Sequence, residues 1–119
     1  MYSVKFYSDK KGQEPVKDFL ARLTKKEKAK VFKYIALLEE KKPSELSCDK
    51  HYKNLSHYPG LWEVRVDFGT NGYRVFYFYH VGNTVILLHA FPKKTDETPA
   101  GDLAIALKHK EDWEIRGTK

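Results

Sequence analysis

Between Trp62 and Phe91 the chain carries three β-rich runs separated only by short glycine-containing turns, and no other stretch restricts its fold as strongly. Trp62, Val64, Val66 and Phe68 alternate with Glu63, Arg65 and Asp67, the period-two pattern of a strand with one buried face. Gly69-Thr-Asn-Gly72 is turn chemistry, Tyr73 to Tyr79 is a second run, and Gly82-Asn83 is a tight turn before Thr84 to Phe91. A three-stranded meander is the expectation.

The flanking segments supply helices. Tyr2, Val4 and Phe6 alternate as a first strand, and Asp9 to Gln13 reads as a turn. Pro15 suits the first turn of a helix, with Val16, Phe19, Leu20 and Leu23 on one stripe. Thr24-Lys-Lys-Glu27 has the form of a capping box and starts a second helix, whose stripe Val31, Tyr34, Ile35 and Leu38 runs to Lys41-Lys42-Pro43. Residues 43 to 60 read as a long irregular connection. Thr98-Pro99 looks like a cap and first-turn proline, followed by Leu103, Ala106 and Leu107 on one side of a terminal helix. The predicted order is βααβββα, an α+β fold with an antiparallel sheet and its helices packed on one face.

A chain of 119 residues, 41% hydrophobic, is long enough for one core, so a single domain over 1–119 is expected. The N-terminus alternates instead of forming a basic and then apolar signal, and no run approaches the roughly 20 apolar residues of a membrane helix, which predicts a soluble, cytoplasmic protein. The lone Cys48 has no partner for a disulfide or a metal-ligand spacing and reads as an ordinary thiol. The net charge of +6 lies wholly in the first half, where residues 1–60 carry 14 Lys/Arg against 8 Asp/Glu. Such a balance favours nucleic acid or an acidic protein segment as partner. The dense run Lys25, Lys26, Lys28, Lys30 and Lys33 fits a solvated helix face and a polyanion contact equally well.

Hairpin register decides which side chains meet. With Phe68 opposite Tyr73, or Thr70 opposite Tyr73, Arg65 and Asp67 share a face with Arg74, Phe76 and Phe78. With Val81 opposite Thr84, that face gains Leu87, His89, Phe91 and Lys93 and stays open. Trp62, Val64, Val66, Tyr73, Val75, Tyr77, Ile86, Leu88 and Ala90 then pack against the helices. Arg65, Arg74, Lys93, Lys94 and His89 among aromatics make a phosphate and base platform, while the structural alternative pairs Arg65 with Glu63 or Asp67.

Leu61-Trp-Glu-Val-Arg65, Gly72-Tyr-Arg-Val-Phe-Tyr77 and Leu88-His-Ala-Phe-Pro-Lys-Lys-Thr-Asp-Glu-Thr-Pro99 occur in this order. In these segments, and over nearly its whole length, the chain resembles HigB-type toxins of the RelE/ParE superfamily, in their phage-derived branch. The resemblance implies a ribosome-dependent endoribonuclease that cuts messenger RNA and is silenced by a cognate HigA-like helix-turn-helix antitoxin in a hetero-oligomer. It implies that Arg65 matches a basic residue of the family's second strand, that Arg74 matches the Gly-Tyr-Arg arginine, and that Lys93 and Lys94 match the basic pair after the last strand. Glu63 stands where RelE toxins carry a lysine, and the terminal tyrosine of RelE has no counterpart, its place falling near Ala100.

Such a reaction is attack by a ribose 2′-hydroxyl on its adjacent phosphate, releasing a 5′-hydroxyl. A group must take the 2′ proton, another must protonate the leaving oxygen, and cations must stabilise the crowded phosphate between them. Arg65 and Arg74 suit the cationic task. His89 is a candidate for proton transfer by its near-neutral intrinsic pKa, and Lys93 and Lys94 for RNA contact. His51, Lys53 and His57 lie in the long connection, where they fit substrate contact and surface filler equally well; Lys53, His57 and Lys108 are taken as RNA-binding candidates. No cofactor and no metal are expected, since no histidine pair has a zinc-ligand spacing. The competing readings are a ParE-like gyrase inhibitor and a non-catalytic RNA-binding module.

Overall fold

The computed structural model describes residues 1–58, 60–80, 82–93 and 99–116. Among them the order is β1 (Ser3–Phe6), α1 (Pro15–Ala21), α2 (Lys25–Glu40), α3 (Pro43–Leu46), β2 (Tyr52–Asn54), β3 (Leu61–Phe68), β4 (Asn71–His80), β5 (Thr84–Pro92) and α4 (Ala100–Arg116). The strands form one sheet in the order β1-β5-β4-β3-β2. The predicted β1, α1, α2, meander and terminal helix are all present, but the connection over 43–60 is not irregular throughout: it holds α3 and the edge strand β2. Tyr52-Lys-Asn54 is too short to display a period.

Two expectations about the sheet are corrected. It is mixed and not antiparallel, because β1 lies parallel to β5 with Ser3 opposite Thr84 and Phe6 opposite Leu87. Nor do the helices share a face. α1 and α2 bury Val16, Leu20, Val31, Ile35 and Leu38 against Val64, Val66, Val75 and Tyr77 on one side. On the other side, α4 places Leu103 and Ala106 over Phe76, Phe78, Ile86, Leu88 and Phe91. The face expected to be open is covered along much of its length, because three phenylalanines exposed together would leave too much apolar surface in water.

Register explains which residues changed sides. β3 and β4 join across Gly69-Thr70, with Phe68 opposite Asn71, so Asn71 and Gly72 belong to the strand and not to the turn. Gly69, at φ +62°, meets the positive-φ demand of such a tight loop. This register shares the parity of both predicted ones, and Arg65 falls directly opposite Arg74. In β4 and β5, Phe76 is opposite His89, as the predicted alignment requires, but Tyr77 is opposite Leu87 and His80 opposite Thr84. The irregularity between Phe76 and Tyr77 leaves Leu88 as an extra residue and shifts the turn-proximal half by one. Leu87 therefore joins the α1/α2 side, and Ile86 and Leu88 join the α4 side, the reverse of the expectation. Val81, the predicted partner of Thr84, and Thr98, the predicted cap of α4, lie outside the described residues.

α4 is tied down along its length. Asp102 meets His89 Nε2 at 2.7 Å, His109 Nδ1 meets the Leu88 carbonyl at 2.8 Å, and the Tyr7 hydroxyl donates to Asp112 at 2.6 Å. Arg116 clasps Asp112 and donates to the Ser8 carbonyl at 2.7 Å. That guanidinium, with the Tyr7 hydroxyl, holds the Asp112 carboxyl well below the usual carboxylate range. Among the described residues no helix is long and apolar enough to cross a membrane.

The capping box forms as predicted: Glu27 N–H donates to Thr24 Oγ1 at 3.2 Å and Thr24 N–H to Glu27 Oε1 at 2.9 Å. The other Glu27 oxygen accepts from the Tyr73 hydroxyl, so a single buried carboxylate both starts α2 and docks it on β4. The Tyr73 hydroxyl is the main cause that lowers the Glu27 pKa, and the same bond pushes Tyr73 up to about 12. A carboxyl whose pKa is lowered on folding stabilises the protein above its unfolded value of about 4.3 and stops doing so as pH falls through the folded value. Glu27→Gln is expected to lower Tm at neutral pH, and the gap from wild type in a thermal-melt series is expected to close in acid below about pH 4. A gap that stays constant into acid refutes the role of the ionised carboxylate.

Candidate functional site

On the α4 side, where that helix packs on Phe76, His89 and Phe91, the sheet presents successive cross-strand rows. Glu63, Phe76 and His89 form one, Arg65, Arg74 and Phe91 the next, and Asp67 with Gly72 the last, where Lys93 N–H donates to the Gly72 carbonyl at 2.7 Å. The last two rows open into a cleft of about 330 Å³ whose floor is made by Arg65, Asp67, Arg74 and Lys93 and whose outer wall is made by Lys30, Lys50 and His51. Five cationic side chains face one carboxylate there.

Two like charges directly opposite each other on neighbouring strands repel, so the arginine pair requires compensation. Arg74 has it built in. Its side chain is only 5% exposed, and Nη1 donates to the Tyr73 carbonyl at 2.9 Å and to Asp67 Oδ1 at 3.4 Å. Arg65, 38% exposed, has Nε 3.8 Å from Glu63 Oε1. Glu63 is buried, and desolvation raises its pKa against the opposing pull of Arg65, Arg74 and Lys53. The structural pairing weighed for Arg65 therefore exists, but as a long contact on a guanidinium that still opens to the cleft.

The wall comes from α2 and from the connection before β2. Lys30 lies one turn beyond the Glu27 anchor and donates across the sheet edge to the Asp67 carbonyl, which β2 is too short to reach. His51 precedes β2 and accepts from Arg65 N–H at 2.7 Å. The hint for Lys30 was its membership of the lysine run; for Lys50 and His51 it was Asp49-Lys-His51, a turn-forming acid two residues before a histidine.

Of the residues singled out in the sequence, Arg65, Arg74 and Lys93 are brought together, with His51 and Lys30 of the lysine run beside them. Lys94 lies outside the described residues. His89 does not line this cleft: it is 14% exposed, engaged with Asp102 and stacked on Phe91. Lys53 and His57 line a separate depression of about 370 Å³ with Leu103, and Lys108 lines another with Tyr7, Lys10 and Lys11. Among the described residues no three His, Cys, Asp or Glu side chains gather as a metal-binding group.

The fold is α+β, with a mixed five-stranded sheet among the described residues and a cation-lined cleft whose charge is complementary to an anion. Residues 18–111 match the family described as Phage derived protein Gp49-like (DUF891), and the chain belongs to that family, which is associated with RelE/ParE-like toxin–antitoxin modules. No curated protein matches the chain.

Gly72 sets the spacing of the last row. A Cβ built there falls 3.1 Å from Asp67 Oδ1 and 3.2 Å from Lys93 Cβ, while its backbone is not in the positive-φ region. Gly72→Ala is expected to fold, with Tm near wild type, and to bind single-stranded RNA more weakly in fluorescence anisotropy, by less than Lys93→Ala does. Unchanged affinity in both variants refutes the assignment of this row to the binding surface.

Proposed function

We propose that the chain, as one toxin domain over residues 1–119, is the toxin of a type II toxin–antitoxin pair and acts as a HigB-type, ribosome-dependent endoribonuclease on messenger RNA. The observation that carries the reading is the convergence of Arg65, Arg74 and Lys93 with Lys30 and Lys50 on one cleft. Family membership and the motif resemblance supply the toxin context. The partner that silences it is a HigA-like helix-turn-helix antitoxin, for which a cationic cleft offers an acidic segment a complementary surface.

In this reading the cleft grips the scissile phosphate. A guanidinium stays charged and donates two parallel hydrogen bonds to phosphate oxygens, so the half-buried Arg65 binds and the buried Arg74 supplies fixed positive potential from the floor. As O2′ approaches phosphorus and O5′ departs, charge grows on the oxygens between them, and cations already in place stabilise it without reorganising. Lys93 extends the positive track past the end of β5, and Lys94 is assigned to RNA contact by the resemblance alone. His89, engaged with Asp102, anchors α4.

The deciding experiment is inducible expression in a bacterial host with new 5′ ends mapped on messenger RNA, comparing wild type with Arg65→Ala and Arg65→Ala/Arg74→Ala. Removal of Arg65 is expected to cost on the order of 3 kcal/mol of transition-state stabilisation, about a hundredfold in cleavage. Because Arg74 is buried, the single variant carries the test and the double variant must first pass a thermal melt. Growth arrest without cleavage overturns the proposal, and arrest that survives both substitutions points to gyrase inhibition.

Salt dependence checks the phosphate role separately. Each phosphate contact to a single strand contributes a slope of about 0.7 in log affinity against log salt. Arg65→Ala is expected to reduce the slope for single-stranded RNA by about that amount, and an unchanged slope refutes a phosphate contact there.

A further inference from the structure

Resting on the nuclease reading, we propose that His51 is the general base of the reaction: its Nε2 takes the proton from the attacking ribose 2′-hydroxyl while Asp49 fixes the ring.

The arrangement around His51 is that of a held proton acceptor. Asp49 Oδ1 accepts from the His51 backbone N–H at 2.9 Å and lies 2.7 Å from its ring Nδ1. A carboxylate only accepts, so Nδ1 carries the hydrogen and the neutral ring keeps its lone pair on Nε2. Nε2 has no hydrogen-bond partner among the described residues, and the residue forms part of the cleft wall. The ring stacks on Tyr34 of α2, centroids 4.2 Å apart, which fixes its plane. Its carbonyl takes the Arg65 N–H, so the histidine is coupled through one peptide to the strand that bears the phosphate-binding arginine.

The segment is rigid for physical reasons. Leu46 of α3 is buried in the core, Asp49 N–H donates to its carbonyl at 2.9 Å, and the Asp49 carbonyl accepts from Tyr52 N–H at 3.1 Å. Tyr52 in turn donates its hydroxyl to the Tyr34 carbonyl, so His51 sits between two points fixed to the core. The backbone N–H of His51 is also the leading cause that holds the Asp49 carboxyl below the usual carboxylate range, keeping it an acceptor.

The step balances without a further reactant. O2′ loses its proton to Nε2 and bonds to phosphorus, the P–O5′ bond breaks, and O5′ takes a proton from water. The products are a 2′,3′-cyclic phosphate and a 5′-hydroxyl end, and the imidazolium then returns its proton to water. The charges that face His51 are Asp49 and Lys50 on its own turn and Lys30 of α2, with Lys33 over the Tyr34 ring. From the sheet come Arg65 and Asp67 of β3, Arg74 of β4 and Lys93.

The test uses the purified full chain on translating ribosomes with a defined messenger, cleavage rates being measured from about pH 5 to about pH 8, the range in which imidazole titrates. Wild type is expected to lose rate as pH falls through an acid limb. His51→Ala and His51→Gln, each with wild-type Tm and RNA affinity, are expected to cleave at least about a hundredfold more slowly and to lack that limb. Asp49→Asn is expected to give an intermediate loss with the limb moved to lower pH, a change that a merely structural aspartate does not produce. A folded His51→Gln variant that cleaves at the wild-type rate, or keeps the limb, overturns the assignment alone. Wild type that cuts nothing overturns the nuclease reading and the assignment with it.

Discussion

Arg65 and Arg74 stand directly across from each other on adjacent strands, the position in which like charges cost a sheet most. The surrounding structure is organised to tolerate that pair. Arg74 is buried with the Tyr73 carbonyl and Asp67, Glu63 is buried beside Arg65, and Gly72 leaves the room in which the Asp67 carboxylate and the Lys93 stem lie side by side. None of these contacts fully neutralises the two guanidiniums: the Arg65–Glu63 approach is 3.8 Å and the Arg74–Asp67 approach 3.4 Å. A site left with residual positive charge has greater affinity for phosphate than one closed by short internal ion pairs, whose own attraction a ligand must first replace.

The cleft also depends on a strand that stops early. β2 pairs with β3 only from Tyr52 to Asn54, so past Val64 the edge of β3 has no neighbouring strand among the described residues. An exposed edge invites pairing with other chains, and lysines are a common means of blocking it. Here the Arg65 N–H is met by the His51 carbonyl and the Asp67 carbonyl by Lys30. Both groups that satisfy the edge also line the cleft. Lys30 reaches it because Glu27 pins the first turn of α2 to Tyr73, which links a capping box read directly from the sequence to the position of a cation in the site.

How far the sequence could be read follows from what each residue type marks. The alternation in β3 was decisive because from Trp62 to Phe68 apolar and charged residues alternate, and every odd-parity register puts Arg65 and Arg74 on one face. β5 gave no such mark. Val85, Ile86, Leu87 and Leu88 are all apolar and all buried, so an inserted residue leaves no trace in the pattern, and the bulge exchanged the faces of three leucine and isoleucine side chains. The second covered face did have a signal, since Phe76, Phe78 and Phe91 are too apolar for a solvated sheet, and the stripe Leu103, Ala106 and Leu107 was available to cover them. The parallel pairing of β1 was not accessible, because alternation tells a strand which face is buried and not which neighbour it has.

The floor of the site was legible from strand parity. Arg65, Arg74 and Lys93 followed from side-chain parity, but a cleft needs walls, and its wall comes from a helix face and a loop whose approach is set by tertiary packing. The two histidines make the contrast plain. His89 has a strand position and a near-neutral intrinsic pKa in its favour, yet α4 folds over it and Asp102 takes its Nε2. His51 occupies a segment with no periodicity, yet its acid partner takes Nδ1 and leaves the other nitrogen without a hydrogen-bond partner among the described residues, on a residue that lines the cleft. Each imidazole has one carboxylate partner; which nitrogen that partner occupies, and what the other then faces, separates a helix anchor from a proton acceptor.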